Sequence, residues 1–345
     1  MKPKLLILEL WGLGDLAIGT PFIQAATQQY EVTLLAKPFA RELQPRFWPG
    51  VNVISFDAPW TVFRHKYHVW RWPLRDMARL RRELAGQAFA AGVSARPDPR
   101  DHFWLKLIGV PRRLGYPRTG SQCLLTDSLE RPGVAAHRYE YWRRLGQQLG
   151  IHVPAREAQP VTVRPPQGCL IVHSGARLPA RVWPLANFQK LVHRLRAAGW
   201  PVKLMADANQ AERWQQAGET PVIPRTIASL CDELQTGDVF IGNDSGPGHV
   251  AAILGLPTFT LFGPSMPEWF VTIHPQAEFV EGPACPFRPC ADYCHFNEPR
   301  CLTGLGVETV WNRLLPFLDK RVSGNVPQPT SGPGMIHLNN GTLTR

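Results

Sequence analysis

Short apolar runs alternate along most of this chain with longer segments of helical period, and that alternation restricts the fold more than any other feature. Residues 5–10, 32–36 and 51–56 read as buried strands, with helix-period segments at 19–29 and 71–85. After a break the pattern resumes, with strands at 169–173, 202–206, 239–242 and 258–262 and helices at 184–198, 226–235 and 246–254. Strands that are apolar on both faces and alternate with helices belong to parallel sheets covered on both sides. The break lies at 154–168, where Pro154, Pro160, Pro165, Pro166 and Gly168 crowd a polar stretch and mark a linker. The expected fold is therefore α/β, with two doubly wound, Rossmann-like domains over 1–160 and 161–321. Their strand C-termini face each other across a cleft, where ligands of such folds bind. The remainder, 322–345, is rich in Gly, Pro, Ser, Thr and Asn and is expected to be a disordered tail.

Composition removes several classes of protein. Of 345 residues, 44% are hydrophobic and 19% charged, enough for a core and unlike a disordered chain. No apolar run approaches the roughly 20 residues of a membrane-spanning helix. The apolar stretch 5–10 is too short and, with Glu9, too acidic for a signal peptide. Seven cysteines, an odd number, argue against a disulfide scaffold. A soluble cytoplasmic protein is expected. The net charge of +11 is lopsided: residues 1–165 hold 24 Lys+Arg against 13 Asp+Glu, and residues 166–345 hold 14 of each. An excess confined to one half points to one domain meeting an anionic partner, with arginine drift in a GC-rich genome as the plain alternative.

Three strand ends carry residues suited to chemistry. The first strand runs into Trp11-Gly12-Leu13-Gly14-Asp15, and Gly19-Thr20-Pro21 is expected to open the following helix. This turn lacks the third glycine of a dinucleotide fingerprint, and no acidic residue ends the strand at 32–36. Asp15 is left as a carboxylate on the rim where substrates approach, or simply as a helix cap. The second is Gly242-Asn243-Asp244-Ser245-Gly246-Pro247-Gly248-His249, a strand entering a helix through small residues. Ser245, Gly246 and Gly248 offer backbone donors and the helix start adds partial positive charge, a seat for a diphosphate within reach of His249. Otherwise Asp244 caps the helix and His249 is structural. The third is His173-Ser174-Gly175-Ala176-Arg177, followed by Arg181-Val182-Trp183-Pro184, a Ser-Gly turn with two arginines suited to phosphate oxygens.

Together these segments resemble glycosyltransferase family 9, the lipopolysaccharide heptosyltransferases and their relatives. The resemblance rests on Gly14-Asp15, on Arg181-Val182-Trp183-Pro184, and on 244–252 leading to Phe262-Gly263-Pro264. It also takes in Gly115, the segment 137–150 and Cys301-Leu302, and covers about residues 4–320. It implies the GT-B architecture, with an acceptor-binding first domain and a sugar-nucleotide-binding second domain. It further implies inverting transfer of heptose from ADP-heptose to an inner-core acceptor, at the cytoplasmic face of the inner membrane. Asp15 would be the general base. Ser174, Arg177, Arg181, Asp244, Ser245, Gly246, Gly248 and His249 would hold the donor, and Gly14 would lie on the acceptor side. Two departures stand out: the usual basic residue after the first strand is replaced by Glu9-Leu10-Trp11, and the ribose-side acid falls on Glu212 only with a spacing two residues long.

No Asp-x-Asp motif is present, so neither a catalytic metal nor another cofactor is expected. Cys285, Cys290, Cys294 and Cys301, with His295, form a cluster open to two readings: a zinc or iron site, as in protein-heptosylating relatives, or unligated thiols in a reduced loop. Cys123, Cys169 and Cys231 are expected in the core. Trp60, Trp70 and Trp72 are expected in a flap facing acceptor or membrane. Arg64, Lys66, Arg71, Arg75, Arg79, Arg81 and Arg82 stand against the single acid Asp76. If 71–85 is one helix, Arg71, Arg75, Arg79 and Arg82 share a face, with Leu74, Met77, Ala78 and Leu84 turned to the sheet, and the stripe suits an anionic glycolipid acceptor in an anionic leaflet. The rival readings are a family-9 enzyme with another donor sugar or a protein acceptor, a silent sugar-nucleotide sensor, and a nucleic-acid-binding module. The last leaves Asp15 and the phosphate turns without a purpose, and no nucleic-acid partner is expected.

Overall fold

The computed structural model describes residues 1–62, 68–160, 167–290 and 293–322. The expected tail from 323 onward, Arg64, Lys66, and Pro165 and Pro166 of the linker lie outside the described residues.

The first half contains β1 (Lys4–Glu9), α1 (Leu13–Ala26), β2 (Glu31–Ala36), α2 (Ala40–Phe47), β3 (Asn52–Ser55), α3 (Leu74–Ala85), β4 (Ala91–Ser94), α4 (Pro99–Ile108), β5 (Arg112–Gly115), β6 (Asp127–Ser128) and α5 (Arg138–Leu149). The second contains β7 (Leu170–His173), α6 (Leu185–Ala197), β8 (Val202–Met205), α7 (Ala211–Gln216), α8 (Ile227–Leu234), β9 (Val239–Asn243), α9 (Gly246–Ile253), β10 (Thr258–Phe262), α10 (Pro267–Phe270), β11 (Glu278–Glu281), α11 (Arg300–Thr303) and α12 (Val307–Val322). Each half builds one parallel sheet, in the orders β3-β2-β1-β4-β5-β6 and β11-β10-β9-β7-β8. In both, the chain starts near the middle and winds to either side. The order reverses beside β1 in one sheet and beside β7 in the other, the switch points where α/β folds bind ligands.

The central strands are buried because both faces are covered: Leu5, Leu6 and Ile7 are fully enclosed, as are Ile171 and Val172 of β7. The halves meet through α1 and α9, each of which follows a strand C-terminus. Small residues let these helix starts approach: a Cβ on Gly14 would lie 2.8 Å from His249 Cδ2, and one on Gly246 would lie 3.1 Å from Leu13 Cβ. One apolar cluster accordingly runs from Leu16 and Phe22 to Val250 and Leu254, through both halves. His137 ties them again, with its Nε2 2.6 Å from the carbonyl of Val271 and its Nδ1 accepting from Tyr139 N–H at 3.0 Å.

Several local expectations need correction. The first helix opens at Leu13, not at Gly19, so Gly19-Thr20-Pro21 lies within it. Gly19 serves packing: a Cβ there would lie 3.1 Å from the Trp142 ring of α5. Arg71 is separated from α3 by Pro73, which cannot sit inside a helix without losing a bond, so the four-arginine stripe is interrupted. Met77, Leu80 and Leu84 form the buried face, whereas Leu74 and Ala78 are exposed. Trp60 is core, 2% exposed, with Nε1 donating to Asp101 at 2.9 Å, while Trp70 is exposed. Of the three isolated cysteines only Cys231 is buried, and Cys123 is exposed.

Candidate functional site

A cleft of about 790 Å³ lies between the two sheets where α1 and α9 begin. From the first half it is lined by Trp11, Gly14, Asp15, Lys37, Arg96 and Arg138; from the second by Arg177, Arg181, Asp207, Asp244, Ser245 and His249, among others.

Asp15 occupies the third position of α1, where its Oδ2 accepts from Gly12 N–H at 3.1 Å. The helix-cap bond and the ion pair described next therefore use different oxygens. Its Oδ1 is gripped by Arg96 Nη2 in a close ion pair, and the Arg96 guanidinium lies 4.7 Å from the Trp11 ring centre. Arg96 follows β4, a strand not recognised in the sequence. Behind it lie two more carboxyls. Burial, with the charge of Asp15, pushes Glu9 up to about 8, and burial together with Asp98 pushes Asp101 up to about 7. Glu9 accepts from Trp11 N–H at 3.1 Å, while Asp101 accepts from Trp60 Nε1 and from Ser94 Oγ at 3.1 Å. One guanidinium thus serves a rim carboxylate while deeper carboxyls retain their protons near neutral pH.

Across the cleft, Asp244 does not cap α9. Its Oδ2 receives Arg181 Nη1 at 3.3 Å and, more closely, Ser265 Oγ. The helix start is left open: Ser245 is the capping residue without a side-chain bond, and its hydroxyl is buried and unpartnered. His249 Nε2 is 4.0 Å from Asp244 Oδ1, while Nδ1 has no partner. Burial pulls its pKa down, so it presents a neutral ring between Asp244 and Asp15. Donors without acceptors at a helix N-terminus, flanked by arginines, are suited to an anion.

The structure does not bring every expected residue to this wall. Glu212 is the clearest correction. The inward pull on Gln210, which bonds Ser174, and the burial of Trp214 turn the intervening Glu212 outward, where it accepts from Gln216 at 3.3 Å. The acid that does line the cleft there is Asp207, 3.7 Å from His173 Nε2. Ser174 is fully buried, donating to Gln210 Oε1 at 2.8 Å and accepting from Trp214 Nε1 at 3.0 Å, so its hydroxyl is occupied behind the wall. Gly248 faces the sheet, where a Cβ would stand 3.1 Å from Phe240, and is not in the lining. Arg71, Arg75 and Arg79 are exposed and outside the cleft, and Arg79 pairs with Asp76 at 2.8 Å. The lining residues Lys37, Arg96, Arg138 and Asp207 were not singled out from the sequence. Lys37 had a signal, since it directly follows β2, at the strand end that lacks a ribose-binding acid. The four clustered cysteines are free thiols, and among the described residues no three His, Cys, Asp or Glu side chains stand in a metal-holding group.

Two parallel sheets facing across one cleft, with a carboxylate on one rim and an anion seat on the other, define a two-domain α/β protein of GT-B type. Residues 134–298 match the model of glycosyltransferase family 9 (heptosyltransferase). That match takes in just under half of the chain, and the curated proteins similar to it are lipopolysaccharide heptosyltransferases. The chain is 31% identical over 127 residues to lipopolysaccharide heptosyltransferase 1 of Pseudomonas aeruginosa, covering 35% of this chain and 36% of that one. It is 25% identical over 177 residues to lipopolysaccharide heptosyltransferase 3 of Escherichia coli, covering 47% and 49%. The matched stretches thus span between about a third and a half of these relatives. In structure it resembles E. coli heptosyltransferase WaaC with ADP, with a TM-score of 0.71 at 15% identity over 91% of this chain and 99% of that one. The E. coli ADP-heptose heptosyltransferase II gives 0.67 at 18% identity, over 93% and 99%. These structural likenesses establish the fold.

Proposed function

We propose that the protein is an inverting, metal-independent heptosyltransferase that moves heptose from ADP-heptose to an anionic inner-core lipopolysaccharide acceptor. In this reading residues 1–160 receive the acceptor and 161–321 bind the sugar nucleotide. Asp15 removes the proton of the acceptor hydroxyl as that oxygen bonds to the anomeric carbon from the face opposite the leaving group. The bond from that carbon to the diphosphate oxygen breaks, and the negative charge passes to ADP. The helix start at Ser245 and Gly246, with Arg181 and Arg177, stabilises that charge. The observation that carries the reading is the presence in one cleft of Asp15 and of the α9 start with its unpartnered Ser245 hydroxyl.

Among the described residues no helix is long and apolar enough to cross a membrane. The glycolipid acceptor places the enzyme, on this proposal, at the cytoplasmic face of the inner membrane, with Arg71, Arg75 and Arg79 toward anionic headgroups. Calorimetry with ADP-heptose tests the donor half. The intact protein should bind it, and Arg181→Ala should weaken binding by about 10-fold or more, the worth of a charge-assisted contact. Equal affinity in the variant would put the diphosphate elsewhere.

A further inference from the structure

Arg138 is a cleft-lining guanidinium without an ion-pair partner of its own among the described residues. It is the first residue of α5, where a cation meets the positive end of the helix. Among the described residues no carboxylate pairs with it, and its Nε is buried without a hydrogen-bond partner. Burial and the neighbouring Arg96 guanidinium lower its pKa, while Tyr141, through a hydrogen bond, and the charge of Asp15 act in the opposite direction. Its Cζ lies 5.3 Å from the rings of both Tyr141 and Trp269 and 5.7 Å from that of Phe270. Two of these rings belong to α10 in the second half, so the cage exists only when both halves are docked. The His137 link to Val271 fixes that docking one residue away. Stacked rings hold a guanidinium plane without neutralising it. The result is a partly buried cation, held between rings and without an ion-pair partner among the described residues, that opens into the cavity lined by Asp15.

We propose that Arg138 binds an oxyanion of the acceptor, a sugar carboxylate or a phosphate monoester, and thereby sets the attacking hydroxyl against Asp15. This rests on the transferase reading above. Arg96 is committed to Asp15, whereas Arg138 has no carboxylate partner among the described residues, and the N–H donors that Tyr141 does not take can bond a planar or tetrahedral anion. An acceptor without the anion leaves the guanidinium buried and unpaired, and so is rejected.

The test uses the full chain, ADP-heptose and three acceptors: the anionic glycolipid, its carboxyl-reduced form and its dephosphorylated form. Arg138→Gln should raise KM for the anionic acceptor by about 10- to 100-fold, the range for a lost charge-assisted bond, with ADP-heptose affinity and Tm unchanged. Arg138→Lys should recover part of the loss. The neutralised form on which wild type and Arg138→Gln have equal KM identifies the group read, carboxylate or phosphate. An unchanged KM for the anionic acceptor, or the same loss on all three, overturns the assignment. Direct calorimetry separates this from the transferase reading. A methyl glycoside of a sugar acid and a sugar phosphate are titrated into wild type and both variants. Binding of either that is lost in Arg138→Gln supports the oxyanion site even if no transfer occurs, and binding of neither refutes it. Absence of transfer to any glycolipid by wild type counts against the parent reading alone.

Discussion

In the proposed reaction Asp15 does not act alone, because Arg96 fixes where its carboxylate points. The guanidinium holds one oxygen and the Gly12 N–H the other, so the carboxylate plane is set by two donors from different elements. Replacing Arg96 with Gln removes the ion pair and the stacking on Trp11 together. We expect kcat to fall about 10-fold or more, since misplacement of a general base erodes a typical 100-fold contribution, while ADP-heptose affinity stays constant in calorimetry. Arg96→Lys should recover less than half of the loss in logarithmic terms, because an ammonium lacks the fork and the stacking plane. Glu9 makes a separate prediction. Its folded value of about 8, against 4.5 in an unperturbed chain, means that the folded protein keeps a proton the unfolded chain has released. Stability contributed by this group is full below 4.5 and is lost as pH rises through 8. The groups facing Glu9 are Asp15, Arg96 and Asp101, and Asp101 adds a loss in the same direction up to about 7. Glu9→Gln, which cannot release that proton, should show a smaller fall in Tm between pH 5 and 8 than wild type, measured by calorimetric scans.

At the scale of elements, the contact of α1 with α9 positions the site, and it depends on an absent side chain. A methyl at Gly14 would come within 2.8 Å of His249 Cδ2, and His249, being buried between Asp15 and Asp244, has little room to yield. Gly14→Ala should destabilise the protein by ~1–3 kcal/mol, the usual cost of overpacking, read as a lower midpoint in urea, and should reduce turnover by displacing both rims. The elements also show what was legible in the sequence. The largely apolar strands β1, β2, β7, β9 and β10 are legible within a residue or so, because burial on both faces writes a nearly continuous apolar run. β4 is not, because its Gly92 must admit Leu105, whose Cδ2 would stand 2.8 Å from a Cβ there, leaving a strand of small residues. β5 was hidden by Arg112 and Arg113, which look solvated in sequence. In the fold Arg112 pairs with Asp127 at 3.0 Å, and Arg113 donates to the carbonyls of Val110 at 2.6 Å and Leu124 at 2.8 Å. Missing β4 meant missing Arg96 at its exit. Glu212 was misplaced for a related reason, since the register of α7 is set by Trp214 and Gln210 packing inward, a tertiary demand that spacing does not carry.

Across the whole molecule, the proposed function divides labour between the halves. The first supplies the carboxylate, Arg96 and Arg138, and the second supplies the open α9 start with Arg177 and Arg181. The charge imbalance fits this division only in part, since the exposed arginines of α3 lie outside the cleft and the basic residues inside it come from both halves. The central claim is that the two halves perform separable tasks on one reaction. It is tested most directly by Asp15→Asn, which preserves the side-chain shape and the bond to Gly12 while removing the base. Single-turnover transfer from ADP-heptose should fall by roughly 100-fold or more, with ADP-heptose affinity within twofold of wild type. Transfer at a near-normal rate would contradict the account by removing Asp15 from the chemistry, and a comparable loss of donor affinity would contradict the division between the halves.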